Sequence, residues 1–303
     1  MNNALPTNIP DYLEQLRQAL AGADPALVQD ALYDAEEYLR SEMAENLDQS
    51  EAEVIAAVAS SYGAPEEVAD IYRDTEVKVQ TALRPPPPRP RKSVLGRFFG
   101  VAADPRAYAA LFYMLLSLAT GLFYFVWVVV GTSLSVGFAV LIIGVPFVIL
   151  FFGSIRMLSL LEGRIVEVML GERMPRRPLY GARGRPLLER IGDMFLDPRS
   201  WSTMLYFLAM LPLGIPYFIL AVTLVAVSLA LILGPLAGLL TWPGYSLYVD
   251  GVDLGPGAAW WYLPLLAALG VGLLFATLHL ARGIGRLHGQ LAKRLLVKSA
   301  QSA

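Results

Sequence analysis

Asp104-Pro105-Arg106 opens a long apolar run, and Asp197-Pro198-Arg199 opens another ninety-three positions later. The two copies stay in register: Tyr108 with Trp201, Tyr113 with Tyr206, Gly121 with Gly214, Tyr124 with Tyr217 and Phe125 with Phe218. Upstream, Arg97 and Arg190 keep the same spacing. A repeat of this kind decides architecture before any single residue does. It says that the apolar part of the chain is built from two related halves. Each Asp-Pro pair reads as an N-cap followed by proline at the first helical position.

The run from Ala107 to Ile155 carries no charge. At about 20 residues per bilayer crossing, it holds two crossings, near 107–130 and 135–156, with a turn near Gly131-Thr132-Ser133. A kink is expected at Gly144-Val145-Pro146. Ser154 to Arg199 is rich in arginine (Arg156, Arg164, Arg173, Arg176, Arg177, Arg183, Arg185, Arg190, Arg199). The positive-inside rule places this loop in the cytoplasm. Met157 to Leu170 has apolar residues at helical spacing and continues the second crossing. Leu187 to Leu196 repeats a short interfacial element at Val94 to Val101.

Ser200 to Val249 is again uncharged, but Pro212, Gly214, Pro216 and Gly234-Pro235 interrupt it. A third crossing near 203–224 or longer, broken at its prolines, is expected. Thr223 to Leu240 is its continuation, a re-entrant segment or an outer-surface helix. Thr241 to Tyr262 has two aspartates, no lysine or arginine, and several Trp and Tyr, which places it outside. A fourth crossing near 260–281 leads to a tail with Arg282, Arg286, Lys293, Arg294 and Lys298, which belongs inside. The repeat offset is expected to grow to about 120 there, matching Glu162-Gly163 with Arg282-Gly283.

The first part of the chain is different. Residues 11–80 hold 17 acidic and 4 basic side chains, and the rest holds 9 and 20. Such a split marks separate modules in different surroundings. Four helices are expected in residues 1–83: one through Tyr12, Leu13, Leu16 and Leu20, one opened by Asp24-Pro25, one by the Ser50/Glu53 capping box, and one by Pro65. No apolar leader occurs in the first twenty residues, so this acidic head is expected to stay in the cytoplasm. Residues 84–93 contain RPPPPRPRK, an extended polyproline spacer whose basic residues suit an anionic leaflet. The fold class expected is all-α: a small helical bundle, then a polytopic membrane block (94–298) of about four crossings in two pseudo-repeats.

The head resembles the HAAS family of bacterial signalling domains. The residues that carry this are Tyr12-Leu13-x-x-Leu16, Asp34-Ala35-Glu36-Glu37-Tyr38-Leu39, and Ser61-Tyr62-Gly63-Ala64-Pro65-Glu66-Glu67-Val68-Ala69. Family members often place a histidine near Glu37-Tyr38. This chain has none there, so that role is not carried over. The resemblance implies a cytoplasmic protein partner, a PadR-like transcription regulator being the kind associated with the family. The block over 94–298 resembles the sensor-type transmembrane domain of bacterial membrane proteins. The paired Asp-Pro-Arg motifs carry it, with Leu160-Leu161-Glu162-Gly163-Arg164, Leu211-Pro212-Leu213-Gly214 and Arg282-Gly283-Ile284-Gly285-Arg286-Leu287-His288.

Candidate sites fall into three groups. Asp34, Glu36, Glu37, Glu66 and Glu67 form a candidate partner-docking face, against a plainer role as solvated surface. Asp104, Arg106, Asp197 and Arg199 are candidates for lipid headgroup contact, against capping and snorkelling at helix starts. Pro146, Pro212, Gly214, Pro216 and His279 are candidate intramembrane kinks or polar sites. His288 reads as polar surface of a basic tail.

The chain has no cysteine and only two histidines. No nucleophile–base pair or phosphate loop is legible. The expectation is a non-enzyme with no cofactor and no metal. The acidic head argues against direct nucleic-acid binding. The leading functional reading is a sensor in the bacterial inner membrane, N- and C-termini cytoplasmic, that relays an envelope or membrane stimulus through its head. Membrane lipids and a cytoplasmic protein are its partners, and self-association stays open. The alternative is a small transporter or lipid-handling protein, suggested by the repeats and the prolines of the third crossing. A third reading is a scaffold that only anchors the head.

Overall fold

A computed structural model describes residues 6–83, 93–138, 144–177, 197–240, 248–249, 252–253 and 262–297. The proline-rich spacer, Leu187 to Leu196 and most of the segment expected outside lie beyond these. The described chain is almost wholly helical.

Four helices make the head: α1 (Ile9–Ala19), α2 (Pro25–Glu45), α3 (Glu51–Ser61) and α4 (Pro65–Leu83). Their boundaries follow from local chemistry. Asn8 Oδ1 accepts the Asp11 amide at 2.8 Å, and Asp24 Oδ1 accepts the Ala26 amide at 2.9 Å. Ser50 and Glu53 form a complete capping box. Gly63, at φ +121°, takes the left-handed turn that separates α3 from α4. Tyr12, Leu16, Leu20, Leu39 and Ile55 are fully buried in the core between these helices. Each such side chain contributes about 1.5–3 kcal/mol of hydrophobic stabilisation. The Tyr12 hydroxyl, inside this core, donates to the Gly63 carbonyl at 2.7 Å.

A short helix α5 (Val94–Phe99) and a 3₁₀ turn (Gly100–Ala103) lead into the apolar part. Its helices are α6 (Pro105–Phe138), α7 (Gly144–Leu170), α8 (Pro198–Leu240) and α9 (Tyr262–Leu296). Each is long and apolar enough to cross a membrane. At about 1.5 Å per residue, even the shortest exceeds the roughly 30 Å hydrocarbon layer. Between α8 and α9, β1 (Tyr248–Val249) and β2 (Val252–Asp253) form a two-residue antiparallel ladder.

Four sequence expectations are corrected. The chain does not turn at Gly131-Thr132-Ser133, because α6 continues to Phe138. Gly131 is a packing position: a Cβ there would collide with the Phe151 ring of α7. Glycine is tolerated in apolar helices for such close approach. Pro146 is no interior kink. It is the third residue of α7, in the first turn, where proline is tolerated. The third crossing is not broken either. Pro212, Pro216 and Pro235 all lie inside the continuous helix α8, so Thr223 to Leu240 is its continuation. Neighbouring contacts and local adjustment tolerate the lost backbone bonds in membrane helices.

The fourth correction concerns register. Asp104 pairs with Arg282 at 3.1 Å, and its counterpart Asp197 pairs with Arg156 at 3.4 Å. Tyr113 is hydrogen-bonded to His288 at 2.7 Å, and its counterpart Tyr206 donates to Glu162 at 3.0 Å. Arg282 and His288 each follow Arg156 and Glu162 by 126 positions, not about 120. Burial agrees. Phe152, Ile155, Ser159, Glu162, Gly163, Val166 and Leu170 of α7 are buried, and so is every residue 126 positions on in α9. Gly163 therefore matches Gly289, not Gly283.

Two compact units divide the chain. One comprises Met1–Pro87, Val128–Tyr206 and Gly289–Ala303, and the other Pro88–Trp127 and Phe207–His288. In the second unit α6 and α8 cross at Gly121 and Gly214. Tyr124 stacks on Phe207 there, with centroids 4.4 Å apart. Farther along α8, Gly270 of α9 meets Leu231 and Ser228.

Candidate functional site

The most built polar site in the molecule joins the head to the chain after α7. Helix α7 ends at Leu170, and Gly171 at φ +75° turns the backbone out of the helix. Glycine takes this left-handed conformation without the steric penalty of a Cβ. The turn carries Arg173 to Arg177 onto α2 and α4 of the head.

Arg173 is only 7% exposed. Its Nη2 donates to Asp30 Oδ2 at 3.0 Å, its Nε to Glu76 Oε2 at 3.2 Å, and its Nη1 to the Met174 carbonyl at 2.6 Å. Glu167, at the end of α7, is 3.4 Å from the same Nη1. It also pairs with Arg176 and Arg164, each at 3.1 Å. Three buried carboxylates thus face one buried guanidinium, Arg173, and two half-exposed ones, Arg164 and Arg176. Burial of an ion is costly unless partners and hydrogen bonds replace water, and here both are supplied.

Asp30 also reads the backbone. Its Oδ1 accepts the amides of Arg176 at 2.7 Å and Arg177 at 2.9 Å. Gln29 Nε2 donates to the Arg177 carbonyl at 2.7 Å. At the rim Arg177 pairs with Asp34 at 3.0 Å and lies over the Tyr33 ring. Asp34 in turn accepts from the Tyr72 hydroxyl at 2.8 Å. Two further bonds extend the junction: Arg199 Nη1 to Gln29 Oε1 at 2.9 Å, and Lys293 to Asp24.

Burial pushes the Asp30 carboxyl above its ordinary range, against the Arg176 and Arg177 amides and the Arg173 guanidinium, which pull it down. For Arg173 burial acts to lower the pKa, but Asp30, Glu76 and Glu167 outweigh it and hold the group above its ordinary value. Arg173 is therefore a permanent cation at the centre.

The sequence-derived docking face is divided by the structure. Asp34 lies in the junction. Glu36 pairs with Arg40 at 2.9 Å, and Glu67 accepts the Ala64 amide at 3.2 Å at the start of α4. Glu37 lines a separate groove on the head with Arg40 and Met43. Glu66 is exposed on the first turn of α4.

Asp104 and Asp197 cap their helices, accepting the amides of Arg106 at 3.1 Å and Arg199 at 3.0 Å. His279 is hydrogen-bonded to the Phe98 carbonyl at 3.0 Å and stacks on the Phe98 ring. Gly214 serves the α6–α8 crossing, while Pro212 and Pro216 are exposed on the same helix. His288 is corrected: it is not tail surface but 1% exposed, with the Tyr217 ring edge-on to it. Sequence reading missed Arg173, Asp30, Glu76 and Glu162. The one available signal was Gly171 directly after an amphipathic helix and ahead of clustered arginines.

Two family models match the chain. The Sensor model, described as "Putative sensor", matches residues 113–296, more than half of the chain. The chain belongs to the Sensor family. The HAAS model matches residues 11–71, most of the head. No curated protein and no solved structure matches the chain. This Sensor-family chain is a multi-pass membrane protein in contact with lipid, and its HAAS head is a protein-interaction domain. Its Arg173 junction joins the HAAS head to the end of a Sensor-family membrane helix.

Proposed function

We propose that this protein is a signalling sensor of a bacterial cytoplasmic membrane, with both termini in the cytoplasm. The domains are the head (1–83), the spacer (84–93) and the membrane block (94–298). The membrane block holds the HAAS head through the Arg173 junction. An envelope or membrane stimulus that repacks the helices withdraws the Arg173–Arg177 segment. The freed α2 and α4 surface then engages a cytoplasmic regulator, of the PadR-like kind. The protein acts by binding and not by catalysis.

The observation that carries this reading is the burial of Arg173 among Asp30, Glu76 and Glu167. Such a centre is two-state by nature. Fully paired it holds, and with one member withdrawn the remaining charges are expensive to keep dry. A shift of α7 therefore translates into release of the head. A stimulus worth a few kcal/mol suffices to invert such an equilibrium.

The test is capture of the regulator by the full-length protein in native membranes. Arg173→Glu, which repels all three carboxylates, is expected to raise capture several-fold over wild type. Equal capture by both forms contradicts release as the signalling step.

A further inference from the structure

A second polar site lies at the start of α8, where Arg156, Ser159, Asp197, Arg199, Ser200 and Thr203 line a small open cleft with Ile155 and Leu160 at its apolar wall. Two guanidiniums face one carboxylate there. The Asp197 carboxylate is turned to its own helix cap and to Arg156. Ser200 is 3% exposed, and its Oγ has no hydrogen-bond partner among the described residues. A buried hydroxyl left this way is costly and calls for a partner.

The internal repeat supplies a control. Asp104, Arg106 and Arg282 reproduce Asp197, Arg199 and Arg156 in the other copy. Cap and ion pair are therefore common architecture. The hydroxyls are not. Ala107, Ala110 and Gly285 stand where the second copy has Ser200, Thr203 and Ser159. In the first copy this place is filled by a small apolar cluster of Val101, Ala107 and Leu278. Among the described residues, the second copy sets an unpartnered hydroxyl, Ser200, beside two arginines, while the Ser159 hydroxyl donates to the Arg156 carbonyl at 2.7 Å.

We infer that this cleft binds the phosphate of an anionic membrane phospholipid. Phosphate matches hydroxyl and guanidinium donors, and charge-assisted bonds of this kind are the strong ones. The N-terminal end of a membrane-spanning helix lies at headgroup depth, and its dipole favours the anion. Free phosphate shares the chemistry, and the test separates the two sources. Arg199 also holds Gln29 of the head. On the reading of the head as a releasable module, lipid binding and head docking share one side chain.

The experiment uses the full-length protein in nanodiscs of phosphatidylcholine, with and without phosphatidylglycerol, and native mass spectrometry of retained lipid. Wild type is expected to retain phosphatidylglycerol in preference to phosphatidylcholine. The Arg156→Gln/Ser200→Ala double variant should lose about tenfold in retention, the size of one charged hydrogen bond. Arg106→Gln, in the copy without hydroxyls, should lose nothing. Ser200→Ala alone guards against misfolding: it removes an unpartnered hydroxyl, so it should raise the melting temperature without anionic lipid yet lower retention. Inorganic phosphate that displaces the lipid at millimolar concentration, with no lipid preference in wild type, overturns the lipid source. Equal retention by wild type and the double variant overturns the site.

Discussion

Gly121 and Gly214 meet each other's helices at equivalent places in the repeat. A Cβ on Gly121 would lie 2.6 Å from the Met210 carbonyl oxygen, and one on Gly214 would lie 2.8 Å from the Ser117 carbonyl carbon. Met210 is the counterpart of Ser117, so the crossing of α6 and α8 is reciprocal, as in a self-complementary interface. Membrane helices associate through such close backbone approach.

Alanine at either glycine must therefore push two backbones apart. Gly121→Ala and Gly214→Ala should each destabilise by about 1–3 kcal/mol, the usual cost of overpacking. Gly272→Ala, where a Cβ meets nothing within 4 Å, should be neutral or stabilising by up to about 1 kcal/mol. Thermal unfolding in detergent checks all three. A Gly121→Ala midpoint equal to wild type contradicts the packing.

The corrected register makes Glu162 and His288 counterparts, each bonded to a repeated tyrosine. Glu162→His keeps a ring nitrogen for the Tyr206 hydroxyl and should cost less than a substitution that leaves it no acceptor. Glu162→Leu leaves the buried Tyr206 hydroxyl without this partner and should cost about 1–3 kcal/mol more. Melting curves that rank the two variants the other way contradict the 126-residue register.

Arg173→Ala removes the buried guanidinium that Asp30, Glu76 and Glu167 share, leaving Glu167 its pairs with Arg164 and Arg176. Breaking a buried ion pair by removing one partner typically costs about 3–5 kcal/mol. Because the head has its own core, the loss should appear as opening of the junction and not as unfolding. Hydrogen exchange should rise at residues 172–177 and on the Asp30 turn of α2, and stay unchanged around Tyr12 and Leu16. Loss of protection throughout the head contradicts a separable junction.

The raised carboxyl of Asp30 gives the junction a pH dependence with a definite sign. Burial penalises its charged form, so Asp30 holds its proton more tightly docked than free. Docking should strengthen as pH falls toward that raised value and lose this increment as pH rises through it. Asp30→Asn, which cannot titrate but keeps an oxygen for the two amides, should flatten the profile. Exchange rates at residues 172–177 between pH 7 and the acid range measure this. A junction that opens on mild acidification contradicts it.

Much of this architecture is legible in the residues. Asp-Pro pairs, the capping box and uncharged runs are local signals, and they place the head helices and the four apolar helices. Turn and kink positions were misread because glycine and proline lose their helix-breaking force where water is absent to take up freed backbone groups. The junction was not legible for another reason. Arg173 looks like any arginine of a basic loop, and its partners Asp30 and Glu76 are 143 and 97 positions away. His288 sits on a basic amphipathic face, and only contact with Tyr113 and Tyr217 makes it interior. Asp34 was recognised as a contact residue, but its partner is the chain's own Arg177.

The absence of cysteine from the sequence allows a direct measurement of docking. Spin labels at Ser41 of α2 and Val168 of α7, both exposed, report the distance between the head and the end of α7. In nanodiscs the wild-type chain should give one narrow distance distribution. Arg173→Glu should broaden it and move it to longer distances, while Glu36→Gln, outside the junction, should leave it unchanged. Identical distributions for wild type and Arg173→Glu would show that the Arg173 junction does not hold the head.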